Sequence, residues 1–116
     1  MGLGSQRAGL LSSELAETYS IARSNAPSAF LVANIGGAQL SKGLKVQEIK
    51  NMIEMIEANA LVVHLKPLQE LIQPEGEPKY KGVLSKIKEI CANFDIPIIV
   101  KEVGAGISME VAKKLE

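Results

Sequence analysis

Tryptophan is absent from this chain, and two tyrosines and two phenylalanines are its only aromatic residues, 3% of 116 positions. That is too few for a platform on which successive bases stack. Surplus charge of either sign is missing as well: thirteen Lys and Arg face thirteen Asp and Glu, and neutralising a phosphate backbone requires an excess of cations. Nucleic acid is therefore excluded as an expected partner. A single cysteine, Cys91, closes no internal disulfide, and together with a single histidine, His64, it is too little for a structural zinc site. No apolar run reaches the length of a membrane span and no signal-peptide pattern is visible, so the expected setting is cytoplasmic, with no membrane partner. What is present is 47% hydrophobic and 22% charged, the composition of a globular unit, and the length suits one domain with a core rather than two.

Three short runs of mostly apolar, often branched residues, 29–35, 60–65 and 96–103, read as strands buried on both faces. Between the first two, Leu44, Ile49, Met52, Ile53 and Ile56 recur at helical spacing. Between the second and third, Val83, Leu84, Ile87, Ile90, Cys91 and Phe94 do the same, leaving Lys86, Lys88 and Glu89 on the opposite side; that spacing places Cys91 in the core. Residues 12–24, opened by Ser12 or Ser13, and 108–115, opened by Ser108, add flanking helices. The order αβαβαβα forces a parallel sheet joined by right-handed crossovers. At about 31 residues per unit, the chain equals about half of a (β/α)8 barrel, although a small open doubly wound sheet fits the same length. The connection over residues 66–80 holds Pro67, Pro74, Gly76 and Pro78, and a loop of that length in a small α/β unit is expected to be functional.

Functional side chains gather at the carboxyl ends of parallel strands. The first run ends in Asn34-Ile35-Gly36-Gly37, the second in His64-Leu65-Lys66-Pro67-Leu68-Gln69-Glu70, and the third in Lys101-Glu102-Val103-Gly104-Ala105-Gly106. Each polar residue follows an apolar run, and the expectation is that Asn34, His64 and Lys101 stand at one level. The paired glycines permit tight turns and close approach of a ligand, but the dinucleotide pattern Gly-x-Gly-x-x-Gly is not met. Gly4-Ser5-Gln6-Arg7 precedes a helix, where backbone amides and an arginine can hold an anion. Glu70 beside Gln69 offers oxygen ligands to a hard cation.

Taken in order, Gly4-Ser5-Gln6-Arg7, Ala33-Asn34-Ile35-Gly36, His64-Leu65-Lys66-Pro67-Leu68-Gln69-Glu70, Gln73-Pro74-Glu75-Gly76 and Lys101-Glu102-Val103-Gly104 resemble the type 2 isopentenyl diphosphate isomerases across essentially the whole chain. The tandem of His-Leu-x-Pro-Leu-Gln-Glu and Gln-Pro-Glu-Gly is the specific part. The resemblance implies an FMN-dependent (β/α)8 barrel that interconverts isopentenyl and dimethylallyl diphosphate with reduced flavin and magnesium, NADPH serving as reductant. Residues 1–116 would then form a single partial-barrel domain, roughly βα units two to five of the parent, in a homo-oligomer. Carried over by motif, Ser5, Asn34 and Lys101 would contact the flavin. Arg7, His64 and Lys66 would engage the substrate diphosphate, Gln69 would bind substrate near the alkene carbons as the catalytic side chain, and Glu70 would ligate magnesium. Lys66 stands where the family has asparagine, exchanging a directional amide for a mobile point charge. The family's amino-terminal Arg-Lys segment, its early Thr-Gly-Gly-type flavin loop and its later glycine-rich phosphate loops are not found, so the 116 residues alone are expected to be inactive. Two other readings suit the same residues: a different FMN-dependent oxidoreductase barrel, and a non-enzymatic self-associating α/β module.

Overall fold

The three apolar runs become strands, each trimmed to the residues that can share a ladder. In the computed structural model, which describes residues 1–6, 9, 12–67 and 80–116, they are β1 (Val32–Gly36), β2 (Ala60–His64) and β3 (Ile98–Lys101). The helices are α1 (Ser13–Asn25), α2 (Gly37–Ser41), α3 (Val46–Met55), α4 (Val83–Asn93) and α5 (Met109–Leu115). The expected alternation holds, with α2 as an addition. Five residues are too few for a hydrophobic period to register; α2 is held instead by tertiary burial of Gly37, Ala38 and Leu40 and by Gln39, whose Oε1 accepts the Gly36 amide at 2.6 Å.

The sheet is parallel with order β1-β2-β3, and its register runs from Val32↔Ala60 to Gly36↔His64 and from Leu61↔Ile98 to His64↔Lys101. Each crossover steps the same way, so right-handedness carries the connecting helices to one side. No reversal of strand order occurs among the described strands, whereas a doubly wound sheet requires one. Burial follows this topology. Ala33, Ile35, Leu61 and Val63 share one face, are fully buried, and join Ile49, Met52 and Ile56 from α3 and its end with Val83, Ile87 and Ile90 from α4. The alternate positions differ: Asn34, Val62 and His64 are half-buried, and Ile99 and Lys101 are exposed. The expectation of strands buried on both faces is thus corrected among the described residues, because the helices cover only one face.

Cys91 also departs from expectation, being exposed. Val83, Ile87 and Ile90 at i, i+4 and i+7 make the buried stripe of α4, and Cys91, like Leu84, falls at its margin. An element with no strand pattern completes the sheet. Residues 1–6 run alongside β1, with Val32 N–H donating to Met1 O (3.0 Å), Leu3 N–H to Val32 O (3.3 Å) and Gln6 N–H to Asn34 O (2.9 Å). At the opposite end of the strands, Arg23 of α1 donates to the carbonyls of Ile56 (3.1 Å), Pro27 (2.8 Å), Ala29 (3.0 Å) and Glu57 (2.8 Å). That clasp ties α1 to the turns preceding β1 and β2. No helix among the described residues is long and apolar enough to cross a membrane.

Candidate functional site

The carboxyl ends of the strands bring together Gly36, His64 and Lys101, which share one register across the three strands. Asn34 pairs with Val62, two residues earlier, so it stands about 6.6 Å lower along the strand. The expected single level therefore holds for His64 and Lys101 and not for Asn34. Period-two alternation still puts Asn34 on the half-open face with them, and its side chain reaches upward: Asn34 Oδ1 and His64 Nδ1 are 2.8 Å apart. A glycine at 36 gives the imidazole its room. A Cβ there would lie 3.0 Å from His64 Nε2 and 3.2 Å from Gln39 Oε1. Gly37 is tighter still, since a Cβ would meet Leu65 Cδ2 at 2.8 Å and Tyr80 Cε1 at 2.9 Å.

The segment over residues 1–6 brackets Asn34 from the other side. Asn34 Nδ2 donates to Leu3 O at 3.0 Å, and the Asn34 amide donates to Gln6 Oε1 at 3.1 Å. Gln6 is fully buried, and its Nε2 donates onward to Met52 O at 3.2 Å. Buried amides require such pairing at both ends, and Gln6 has it. Ser5 is exposed, its carbonyl accepting from Tyr19 Oη at 2.8 Å. The Gln6 N–H is already donated to Asn34 O, so the anion-holding amides expected at Gly4-Ser5-Gln6-Arg7 lose that member. Arg7, Gln69 and Glu70 lie outside the described residues, as does most of the 66–80 connection. Gln6 and Tyr80 were not candidates from sequence. Tyr80 Oη accepts the Lys66 amide at 3.1 Å, closing the two ends of that connection, and a lone tyrosine after a proline-rich run carries no signal of this role.

Lys101 turns its ammonium to the carbonyl of Glu102 at 2.7 Å, while its own carbonyl accepts the Leu65 amide at 2.7 Å. Glu102 then folds onto the following loop, its Oε2 accepting from the amides of Gly104 (2.5 Å) and Gly106 (2.8 Å). Both glycines have positive φ, +118° and +86°, a conformation that side chains disfavour. The Gly106 amide above all, with Gly104, Ala105 and Val103 adding to it, holds the Glu102 carboxyl below its ordinary value against an opposing push from desolvation. Beside this loop a cavity of about 280 Å³ is lined by Leu65, Lys66, Pro67, Val103, Ile107 and Val111. Chemically, the rim offers an imidazole and lysines for an anion, an amide for hydrogen bonding, and apolar Val62 and Ile99 on the half-open face below. Among the described residues no cluster of three carboxylate, histidine or cysteine side chains stands ready to hold a metal.

No protein-family model matches the chain. Relatives are found among curated proteins. The isopentenyl-diphosphate delta-isomerase of Aeropyrum pernix is 49% identical over 115 residues, covering 99% of this chain and 31% of that protein. The protein of the same name from Ignicoccus hospitalis is 50% identical over 115 residues, covering 99% and 32%. That of Synechocystis sp. is 47% identical over 116 residues, covering 100% and 33%. The chain spans about a third of the length of the curated relatives it matches.

Proposed function

We propose that this chain is part of an isopentenyl-diphosphate delta-isomerase of the flavin-dependent type 2 kind, and that its βα units form a portion of a (β/α)8 barrel. Support for the activity comes from relatives of that name that are about half identical over nearly every residue of the chain. Support for the barrel comes from sequential strand order, with helices over one face and Asn34, His64 and Lys101 toward the carboxyl ends of the other. The observation that carries the reading is His64 and Lys101 sharing one register above Asn34, at the strand ends where such barrels do their chemistry.

In this reading His64 and Lys66, together with Arg7, hold the substrate diphosphate, and charge-assisted donors of these kinds are what a diphosphate selects. Asn34, Lys101 and Ser5 are assigned to FMN. The residues present suit it: the half-open face combines apolar Val62 and Ile99 with the Asn34 amide and the Lys101 ammonium, and Gly36 keeps the rim free of a side chain beside His64. Bound in its reduced form, the flavin would supply the acid and base that an allylic proton shift requires. The chain's own part is to bind and orient, Gln69 lying by the alkene and Glu70 ligating the magnesium that neutralises the diphosphate.

The test is a titration of the purified chain with FMN, followed by flavin fluorescence with magnesium and isopentenyl diphosphate present. Saturable quenching that weakens in Lys101→Ala is expected. Quenching that fails to saturate, or is indifferent to Lys101, overturns the flavin assignment.

A further inference from the structure

We propose that Asn34 is a positioning residue for His64, fixing its imidazole as the tautomer that carries hydrogen on Nδ1. Leu3 O can only accept a hydrogen bond, so the end of the Asn34 amide 3.0 Å away must be the NH2 group; reversing the amide would set two acceptor oxygens against each other. The other end of the amide is then the oxygen, also an acceptor, and it lies 2.8 Å from His64 Nδ1. Of the two, only Nδ1 has a hydrogen to give. The carbonyl that orients the amide is itself fixed, because residues 1–6 are laced to β1 through Leu3 N–H to Val32 O and Gln6 N–H to Asn34 O. Backbone pairing at the sheet edge thus determines, through one amide, which nitrogen of a ring on the neighbouring strand bears the hydrogen.

The consequence falls on Nε2, the nitrogen that lies over Gly36 and whose protonation state alone changes when the ring titrates. Lys101 shares the register of His64 on β3 and Lys66 follows it on the same strand exit, so an anion drawn to these cations meets His64 at Nε2, which donates to it once the ring is protonated. That use of the ring rests on the diphosphate reading above, whereas the tautomer rests on the two hydrogen bonds of the Asn34 side chain, to Leu3 O and to His64 Nδ1.

Because His64 is the only histidine, its ring nitrogens can be read without assignment ambiguity. The full chain, with 15N in the imidazole, is examined by long-range proton–nitrogen NMR about two units above the ordinary imidazole pKa of about 6.5. Nδ1 is expected to read as the protonated nitrogen and Nε2 as the bare one, at a single dominant tautomer. Asn34→Ala should convert this to a mixture of both tautomers, and Asn34→Asp, which keeps an acceptor oxygen, should restore the Nδ1–H form and raise the imidazole pKa. A bare Nδ1 in the unsubstituted chain overturns the proposal, as does a single Nδ1–H tautomer persisting in Asn34→Ala. Should Asn34→Ala fail to fold, the unsubstituted chain and Asn34→Asp decide. Lowering the pH through the imidazole titration with inorganic pyrophosphate present then separates the two ideas: an Nε2 protonation that pyrophosphate does not shift to higher pH refutes the diphosphate role of His64 and leaves the positioning by Asn34 standing.

Discussion

Two backbone amides, those of Gly104 and Gly106, donate to one carboxylate, and donors of that kind favour its charged form. With the folded pKa of Glu102 below its ordinary value of 4.5, the resulting stabilisation is fully present above 4.5 and is lost as pH falls through the lower, folded value. Acid titration by NMR should therefore move the Gly104 and Gly106 amide signals with an inflection below 4.5, and Glu102→Gln should remove that inflection. An inflection at or above 4.5 in the unsubstituted chain contradicts the hydrogen-bonded loop. Gln6 gives the second test at this scale. Gln6→Leu leaves the Asn34 amide and Met52 O without their buried partner and should cost about 1–3 kcal/mol, read as a lower urea midpoint at unchanged slope. The residues of the rim differ in how legible they were. Asn34, His64 and Lys101 announce themselves as polar residues ending apolar runs. Gln6 does not, because its partner Met52 lies 46 positions away and nothing local marks a glutamine for burial.

At the scale of elements, the apolar periods located α3, α4 and the three strands, since burial of one stripe or one pleat face is what those periods encode. They were less able to say which face of a strand stays open. Val62 and Ile99 are as apolar as Leu61 and Val63, and only the common direction of the crossovers decides which pair the helices cover. The margins of a stripe are similarly ambiguous, as Leu84 and Cys91 show. Two substitutions separate stripe from margin. Met52→Ala, in the fully buried core, should destabilise by about 2–5 kcal/mol, while Leu84→Ala, at 45% exposure, should stay within about 0.5 kcal/mol. Comparable losses from both in thermal or urea unfolding would refute the burial of Met52 on α3 and the marginal place of Leu84 on α4.

For the molecule as a whole, the alternation of strands with helices and the parallel sheet were legible because handedness and spacing leave few alternatives. The strand-like pairing of residues 1–6 was not, since two glycines in a run of six erase any alternation. The outcome is a sheet with unequal edges. β1 is flanked on both sides, whereas β3 has a partner only in β2 among the described residues, and Ile99, Val103, Ile107 and Met109 are exposed around it. Unpaired edges ringed by apolar side chains invite association. Light scattering is expected to show concentration-dependent self-association, reduced by Ile99→Lys; a monomer at every concentration would count against it.

The same inequality governs where the sheet opens. Because β2 is the only strand paired with another on both sides among the described residues, the free energy of local opening need not be shared evenly, as in stacked-repeat proteins where each unit is held by adjacent units alone. Amide hydrogens of β2 facing β1 are sealed on a strand that is itself held from both sides, whereas β3 can part from β2 and leave the β1–β2 pair intact. Hydrogen exchange should thus quicken from β1 toward β3, and the strand that presents Lys101 is the first to breathe.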